Sequence, residues 1–391
     1  MRFATTLSCA ALALLALGCG GGGKRPDANP PAPVLGRPAQ AKEAARDLGF
    51  PGFATKNTTR VGGSDPIADA AGVAQAVYPG AATDSRPSAV TIVDADDFRS
   101  SVSAAQLMSR PLAAPILLSQ DGRLPPATRD ALDALRPTGA EKAGKAKVIR
   151  VGNAAGHAAE LKTTDVGGTD PAAVARRIDQ LATSAAGTQS QAVIVAPSKR
   201  PAFAMPAAGL AAKTGAPVLW SDPDRLPAAT VAAIKARRRP RIYVVGPAAG
   251  VSDKVLARLR KLGAAQRVSG ADPVTNAIAV ARFSDGSFGW NLVDPGHGLV
   301  FAAAGRTGEA AAAAALSGSG TYGPLLLVDK PGTLPKALEA YLLDIQPGYD
   351  KDPVRGVYNH GWLLGDDSAI SVAVQARLDS LLEIQSVDRS G

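Results

Sequence analysis

The chain has 391 residues, 46% of them hydrophobic, which is enough for two or three domains of ordinary size. Aromatic residues make up only 4% of the chain, so we expect tightly packed aliphatic cores. The formal net charge of +9 favours an acidic partner or an anionic surface. Because the basic residues are scattered outside one patch and form no aromatic–basic module, a nucleic-acid partner is not expected.

The N-terminus predicts an exported lipoprotein. Met1 and Arg2 form a charged start, and the apolar residues 7–17 that follow are too few to span a bilayer. Residues 16–19 (ALGC) fit a lipoprotein cleavage box, which would remove residues 1–18 and attach lipid to Cys19. An ordinary secretory signal with a chance cysteine is the alternative, but the four glycines directly after Cys19 suit a tether.

Residues 19–58 are rich in Gly, Pro and Ala and are predicted to form a flexible linker. A short helix over residues 39–48 would interrupt it. The body of the chain is then expected to begin near residue 59.

A short apolar stretch recurs three times in that body, at residues 114–119, 216–221 and 323–328. Each copy has a small residue, a proline and three apolar residues, which predicts a strand buried on both faces. The three copies lie about 100 residues apart, a spacing that suits a small domain copied twice rather than a solenoid.

The elements of each copy follow one order. A Gly-x-Asp-Pro motif, with its aspartate at Asp65, Asp170 or Asp272, is expected to cap a helix that begins at the proline. Then come a strand, an alanine-rich helix, the recurring strand and a helix that starts at a Leu-Pro pair. The last strands are predicted at residues 148–152, 242–246 and 357–361. Further helices are expected at residues 252–262 and 368–382, while the first copy is expected to lack that helix.

Strands that alternate with helices imply right-handed βαβ units and parallel sheets flanked by helices. The fold class is therefore α/β, with three tandem small Rossmann-like domains. Whether these domains pack as a ring or as a row stays open at this point.

This order of elements resembles the cell wall binding repeat 2 family, whose members usually carry three tandem copies. The matching elements are Arg-Val-x-Gly-x-Asp, a hydrophobic strand, an alanine-rich helix, Ala-Pro-Ile-Leu-Leu, Leu-Pro-x-Ala-Thr and Val-x-Val-Gly. The resemblance covers about residues 59–385. It implies cell wall binding repeats at residues 59–163, 164–265 and 266–391.

The resemblance implies attachment to an anionic, teichoic-acid-like polysaccharide of a Gram-positive cell wall. The protein would then sit at the cell surface, on the outer face of the cytoplasmic membrane, held by its lipid anchor and reaching into the wall. One departure concerns the residue after Gly-x-Asp: the family has an arginine followed by an aromatic residue, and this chain has Pro66, Pro171 and Pro273. A different polymer is one reading of that change.

In that family the Ile-Leu-Leu element is associated with wall binding, so the three apolar triplets become candidates by resemblance. They are Ile116, Leu117, Leu118, Val218, Leu219, Trp220, Leu325, Leu326 and Leu327. The alternative is a purely structural role, since burying one such side chain is worth roughly 1.5–3 kcal/mol.

The densest basic patch contains Arg237, Arg238, Arg239 and Arg241, and further basic residues follow at positions 254–267. Arginines suit a polymer of repeated phosphates because they form charge-assisted, often bidentate hydrogen bonds. The alternative is a solvated helix end whose cations offset the helix dipole.

The third copy holds most of the aromatic candidates, which are Trp290, Tyr358, His360 and Trp362. The predicted last strand places His360 at its carboxyl end, where α/β folds bind ligands. A sugar-binding pocket is one interpretation. The other is a core histidine packed against the inserted residues 346–355.

The motifs of common enzyme classes, metal sites and phosphate loops are missing from the sequence. We therefore expect a non-enzymatic binding protein with no cofactor and no metal. Two alternatives stay open: a solute-binding lipoprotein that captures a small ligand between repeats, and a glycan hydrolase hidden in the third copy.

Overall fold

A computed structural model describes residues 52–319 and 323–387 of the chain. All of them lie in one compact unit that spans Pro38–Gly391. The predicted signal peptide, Cys19 and the predicted helix over residues 39–48 lie outside the described residues.

Three parallel sheets share one strand order, in which the first strand of each repeat lies between the second and the third. In the first sheet the order is β4-β3-β5-β6, with β3 (Val90–Asp94), β4 (Ile116–Ser119), β5 (Val148–Val151) and β6 (Thr163–Val166). In the second sheet it is β8-β7-β9-β10, with β7 (Ala192–Pro197), β8 (Val218–Ser221), β9 (Arg241–Val245) and β10 (Ala264–Val268).

The third sheet has the order β14-β13-β16-β2-β1 and takes two strands from the beginning of the described chain. Its strands are β1 (Gly52–Ala54), β2 (Thr58–Val61), β13 (Gly298–Ala303), β14 (Leu325–Val328) and β16 (His360–Leu364). Strand β1 pairs antiparallel with β2, and β2 pairs parallel with β16. Two short pairs complete the strands: β11 (Ser284–Asp285) with β12 (Phe288–Gly289), and β15 (Gly348–Tyr349) with β17 (Gln385–Ser386).

Helices cover both faces of these sheets. The helices are α1 (Pro66–Val77), α2 (Phe98–Ala104), α3 (Pro126–Leu135), α4 (Pro171–Ala186), α5 (Pro201–Ala204), α6 (Pro206–Thr214), α7 (Ala228–Lys235), α8 (Asp253–Leu262), α9 (Pro273–Arg282), α10 (Glu309–Ser319), α11 (Lys336–Asp344) and α12 (Val372–Leu382). The α/β class and the parallel sheets flanked by helices are thus confirmed. As expected, residues 152–162 of the first copy hold no helix.

The start of each repeat follows the local chemistry that the sequence predicts. The side chain of Asp65 accepts hydrogen bonds from the backbone N–H groups of Ile67 and Ala68, at 2.9 and 3.0 Å, and α1 begins at the proline after it. Asp170 and Asp272 cap α4 and α9 in the same way. An aspartate before a proline therefore starts the first helix of all three copies.

The repeats close into a ring, because the strand that precedes each of these helices belongs to the sheet of the previous repeat. β6 completes the first sheet, β10 the second and β2 the third. The central helices α2, α6 and α10, one from each repeat, pack against one another. Gly209 of α6 allows the closest approach, since a Cβ atom there would lie 2.7 Å from the hydroxyl of Ser317 in α10.

Two details differ from the sequence predictions. Residues 52–58, expected in the linker, form β1 and the start of β2. The last strand of the third copy is His360–Leu364 rather than residues 357–361. Gly365 follows it with φ +83°, as Gly152 and Gly246 follow β5 and β9 with φ +82° and +104°, so these three glycines are the equivalent positions.

Candidate functional site

The three apolar triplets lie in the middle of the molecule. Their nine side chains belong to β4, β8 and β14 and are at most 1% exposed. The indole N–H of Trp220 donates to the Ser103 hydroxyl of the neighbouring repeat at 2.9 Å. These buried residues build the sheets. Their direct contact with a polymer stays a prediction of the resemblance alone.

Arg237 is the one member of the arginine patch that is buried. Its guanidinium, with a side chain 0% exposed, donates to the carboxylate of Asp179 at 2.6 Å and to the backbone carbonyls of Ser190 and Ala233. Gln106 from the first repeat also donates to Asp179. Arg237 therefore braces the second repeat from inside and is not part of a surface, while its partner Asp179 also receives the hydrogen bond from the first repeat.

The other arginines of the patch are exposed and gather at the edge where β9 and β10 begin. The backbone N–H of Ala264 donates to the carbonyl of Pro240 at 2.9 Å, which brings the end of α8 next to the loop before β9. We call this group the basic surface, and its members are Arg238, Arg239, Arg241, Arg260 and Lys261. Among the described residues, the ion pairs leave all five without a carboxylate partner.

Arg267, at the end of the basic stretch, has a structural role instead. Its guanidinium donates to the carbonyls of Gly246 and Val251 at 2.9 and 2.7 Å and so fixes the loop after β9. In the third sheet Arg60 makes the same contacts, with the carbonyls of Gly365 and Ile370. The two arginines hold equivalent loops in two repeats.

A second group of exposed cations, missed by the sequence reasoning, lies where β5 and β6 begin. It consists of Lys142, Lys145, Lys147 and Lys162. The backbone N–H of Lys147 donates to the carbonyl of Lys162 at 2.8 Å, although the two residues are distant in sequence. The equivalent edges of the first and second sheets are thus both basic, and only the pairing of the strands reveals it.

The aromatic candidates of the third copy do not form one pocket. Trp290 is 5% exposed and packs under the ammonium group of Lys213, which lies 4.4 Å from its ring centroid. Tyr358 is 52% exposed, and its hydroxyl donates to the carbonyl of Pro353. Among the described residues, neither ring contacts the ring pair of His360 and Trp362.

The predicted position of His360 is wrong. It is the first residue of β16 and lies at the amino end of the sheet, because the strand is shifted along the chain relative to the prediction. Its ring meets that of Trp362 edge to face at 5.5 Å, and its Nε2 atom lies 3.0 Å from the hydroxyl of Thr59 in β2. Burial lowers the pKa of His360, so the ring is neutral at neutral pH.

A buried cluster of charges lies at the opposite, carboxyl end of the third sheet, and sequence reasoning did not find it. Arg306 contacts Asp69 at 3.0 Å and Glu309 at 2.7 Å, and both carboxyls are 0% exposed. The contact with Glu309 is close but lacks hydrogen-bond geometry, since Glu309 Oε1 has no hydrogen-bond partner among the described residues. Burial raises the pKa of Glu309 to about 9 and also raises the pKa of Asp69. We infer that this cluster keeps one proton and joins α1 to the third sheet.

A cavity of about 260 Å³ lies between the first two repeats. Hydroxyl and amide groups dominate its lining, which includes Gln106, Ser109, Thr183 and Ser190, and Arg110 stands exposed at its rim. None of the described residues that line it carries a carboxylate. Such a cavity suits a small polar or anionic ligand.

No helix in residues 52–319 and 323–387 is long and apolar enough to cross a membrane. Over the same two ranges, His, Cys, Asp and Glu side chains form no group of three or more that could hold a metal ion.

No protein-family model and no curated protein matches the chain. Among solved structures, the fold is similar to that of Cwp8 from Clostridium difficile, with a TM-score of 0.64 and 19% identity, over 87% of this chain and 54% of that one. Cwp6 from Clostridium difficile gives a TM-score of 0.66 and 19% identity, over 84% of this chain and 48% of that one. The chain thus spans about half the length of these two proteins, and at this identity the likeness concerns the fold.

Proposed function

We propose that this protein binds an anionic polysaccharide of a bacterial cell wall through its three repeats. The observation that carries the proposal is the basic surface, where five exposed cations without carboxylate partners meet at one sheet edge. Phosphate or carboxylate groups at regular intervals along a polymer would pair with such a surface. The resemblance of the repeats to cell wall binding repeat 2 and the fold shared with Cwp8 and Cwp6 support the same proposal.

The proposal includes attachment to the membrane by lipid on Cys19, which rests on the sequence box alone. It also includes the absence of catalysis, so the protein would link membrane and wall without modifying either. A location at the cell surface would follow from the lipid anchor and from wall binding.

Co-sedimentation with purified wall sacculi tests the binding. The protein should sediment with intact sacculi, less so as salt rises, because salt screens exposed charges. It should stay in the supernatant when the anionic polymers have been stripped from the wall. Failure to sediment with intact walls, or equal binding to stripped walls, would refute the proposal.

A matched pair of variants tests the basic surface itself. The triple variant Arg239→Gln, Arg241→Gln and Lys261→Gln should lower the affinity for walls at least tenfold and flatten its salt dependence. The control variant Arg129→Gln, Arg176→Gln and Lys336→Gln removes the same charge from exposed residues elsewhere. Equal losses in both variants would assign the effect to net charge rather than to this surface.

The cavity between the first two repeats favours a second candidate function, capture of a small solute. Thr183→Trp would fill that cavity from its lining while leaving the basic surface intact. Under this alternative, a small polar solute raises the melting temperature of the native protein by binding in the cavity. Thr183→Trp should no longer bind that solute, and its binding to walls should be unchanged.

A further inference from the structure

The second and third sheets carry an aromatic residue at the same place in the same ladder. In the second sheet Tyr243 of β9 is paired with Gln266 of β10. In the third sheet Trp362 of β16 is paired with Thr59 of β2. The equivalent clamps made by Arg267 and Arg60, one residue further along β10 and β2, support this alignment.

In the second sheet the place above the aromatic ring is filled by the chain itself. The ring of Phe288, in the short hairpin of β11 and β12, stacks on Tyr243 at 4.1 Å between centroids with an interplanar angle of 6°. Beyond the ring, the carboxylate of Asp285 accepts hydrogen bonds from the Tyr243 hydroxyl at 2.7 Å and from Gln266 at 3.1 Å. The face of Tyr243 in the second sheet therefore accommodates a flat ring with an anionic group beside it.

In the third sheet the corresponding segment of the chain goes elsewhere. The residues that follow α1, which correspond to the hairpin after α9, pack on α3, where Arg136 donates to the carbonyl of Gly80. Trp362 and His360 stay partly exposed. Within the described residues, no aromatic ring stacks on Trp362 as Phe288 does on Tyr243, and its ring contact is the edge of His360.

Polar groups also lie beside Trp362, although they differ from those of the filled place. Thr59 stands where Gln266 stands in the second sheet, with its hydroxyl 3.0 Å from His360 Nε2. A neutral imidazole and a hydroxyl can each donate or accept a hydrogen bond, which suits the hydroxyl groups and the acidic group of a sugar. The face of an aromatic ring is electron-rich and attracts the polarised C–H groups on one side of a pyranose.

We propose that Trp362, His360 and Thr59 form a subsite for one pyranose ring of an acidic polysaccharide. The sugar ring lies on the indole as Phe288 lies on Tyr243, and its acidic group meets Thr59 as Asp285 meets Gln266. This inference rests on the proposed wall binding and assigns one contact point to it, separate from the basic surface.

Calorimetric titration with polygalacturonate, an acidic pyranose polymer, tests the subsite, and dextran serves as the neutral comparison. The native protein should bind polygalacturonate more tightly than dextran. At a salt concentration that screens the basic surface, Trp362→Leu should lower the affinity for polygalacturonate at least tenfold, Trp362→Tyr should restore most of it, and Thr59→Val should reduce the preference over dextran. Trp290→Phe, which changes a buried indole, should leave the affinity within twofold of the native value.

Binding by Trp362→Leu within twofold of the native protein would overturn the subsite, as would failure of the native protein to bind either polysaccharide. If Trp362→Leu does not fold, Trp362→Tyr and Thr59→Val decide the question. Sedimentation with sacculi separates the two ideas. If Trp362→Leu binds walls as well as the native protein does, the subsite is refuted and the proposed function stands. If the native protein does not bind walls, the proposed function is refuted, and the titration with polygalacturonate still tests the subsite.

Discussion

The Nη2 atom of Arg306 lies 3.0 Å from Oδ2 of Asp69 and joins two parts of the chain that are 237 residues apart. Asp69 lies in α1, and Arg306 lies in the loop after β13. Together with the pairing of β2 and β16, this ion pair fastens the beginning of the described chain to its last repeat. The ring is therefore closed by charge as well as by a strand ladder.

Replacing Glu309 beside this pair should change how stability depends on pH. Glu309 has a pKa raised by burial, so the folded protein keeps a proton that the unfolded chain releases. The free energy of unfolding should therefore fall as pH rises from the usual glutamate range towards about 9. Glu309→Gln should remove this fall and stabilise the protein at pH 8 by more than about 1 kcal/mol.

Urea denaturation of both proteins at pH 5 and pH 8 measures the effect. At pH 5 the two should be nearly equally stable, since Glu309 is largely protonated in the folded state already. A variant that is less stable than the native protein at pH 8 would show that Glu309 carries a favourable charge there.

The adjacent arginines at positions 237 and 238 should respond oppositely to truncation. Arg237→Ala leaves Asp179 buried without its partner and should cost roughly 3–5 kcal/mol of stability. Arg238→Ala removes an exposed side chain and should change stability by less than about 0.5 kcal/mol. Thermal unfolding measures both. Similar losses for the two variants would contradict the burial that separates them.

Truncation within an apolar triplet should weaken the fold before it weakens binding. Leu117 is 0% exposed, so Leu117→Ala should cost roughly 2–5 kcal/mol. Leu343→Ala, at a position 51% exposed, is the control and should change stability little. At a temperature where Leu117→Ala is still folded, its wall binding should equal that of the native protein. Lost binding by a fully folded Leu117→Ala would point to direct contact.

The two equivalent arginine clamps should differ in strength. Arg60 donates to Gln375 as well as to the backbone of the loop after β16, and burial lowers its pKa. Arg267 instead pairs with Asp253, whose side chain is 80% exposed, whereas Gln375 is buried. Since an unpaired buried group costs more than an exposed one, Arg60→Ala should lower the melting temperature more than Arg267→Ala. A larger loss of melting temperature for Arg267→Ala than for Arg60→Ala would mean that the third sheet does not need Arg60 to hold the loop after β16.

Much of the fold could be predicted because the signals are local. An aspartate before a proline starts each first helix, and an apolar run between a proline and a turn marks each buried strand. These features repeat three times in one order. Because the same signals recur three times in the same order, they can be distinguished from chance matches.

The shifted last strand shows where local signals fail. Residues 357–361 end in a glycine and imitate the end of β9, but the glycine that takes a positive φ is Gly365. The inserted residues before the strand supplied the false match. Because that match places His360 at the carboxyl end of the strand, the sugar-pocket interpretation puts it at the wrong end of the sheet, and the sequence does not reveal its partner Thr59, 301 residues away.

The charge cluster and the lysine group could not be predicted for a related reason. Both depend on strand pairing: closure of the ring brings Asp69 to Arg306 and Glu309, and the pairing of β5 with β6 brings Lys147 to Lys162. Such pairings depend on which sheet takes the strand before each first helix. The residues of that strand do not indicate which sheet it joins.

The short strand β1 has a mechanical consequence. The described chain enters at Gly52, opposite Val61, so any tension on the segment before it reaches the body through three backbone pairs with β2. From there the load passes into the ladder of β2 and β16. The joint that closes the ring is thus also the joint that would bear a pull from the N-terminal side.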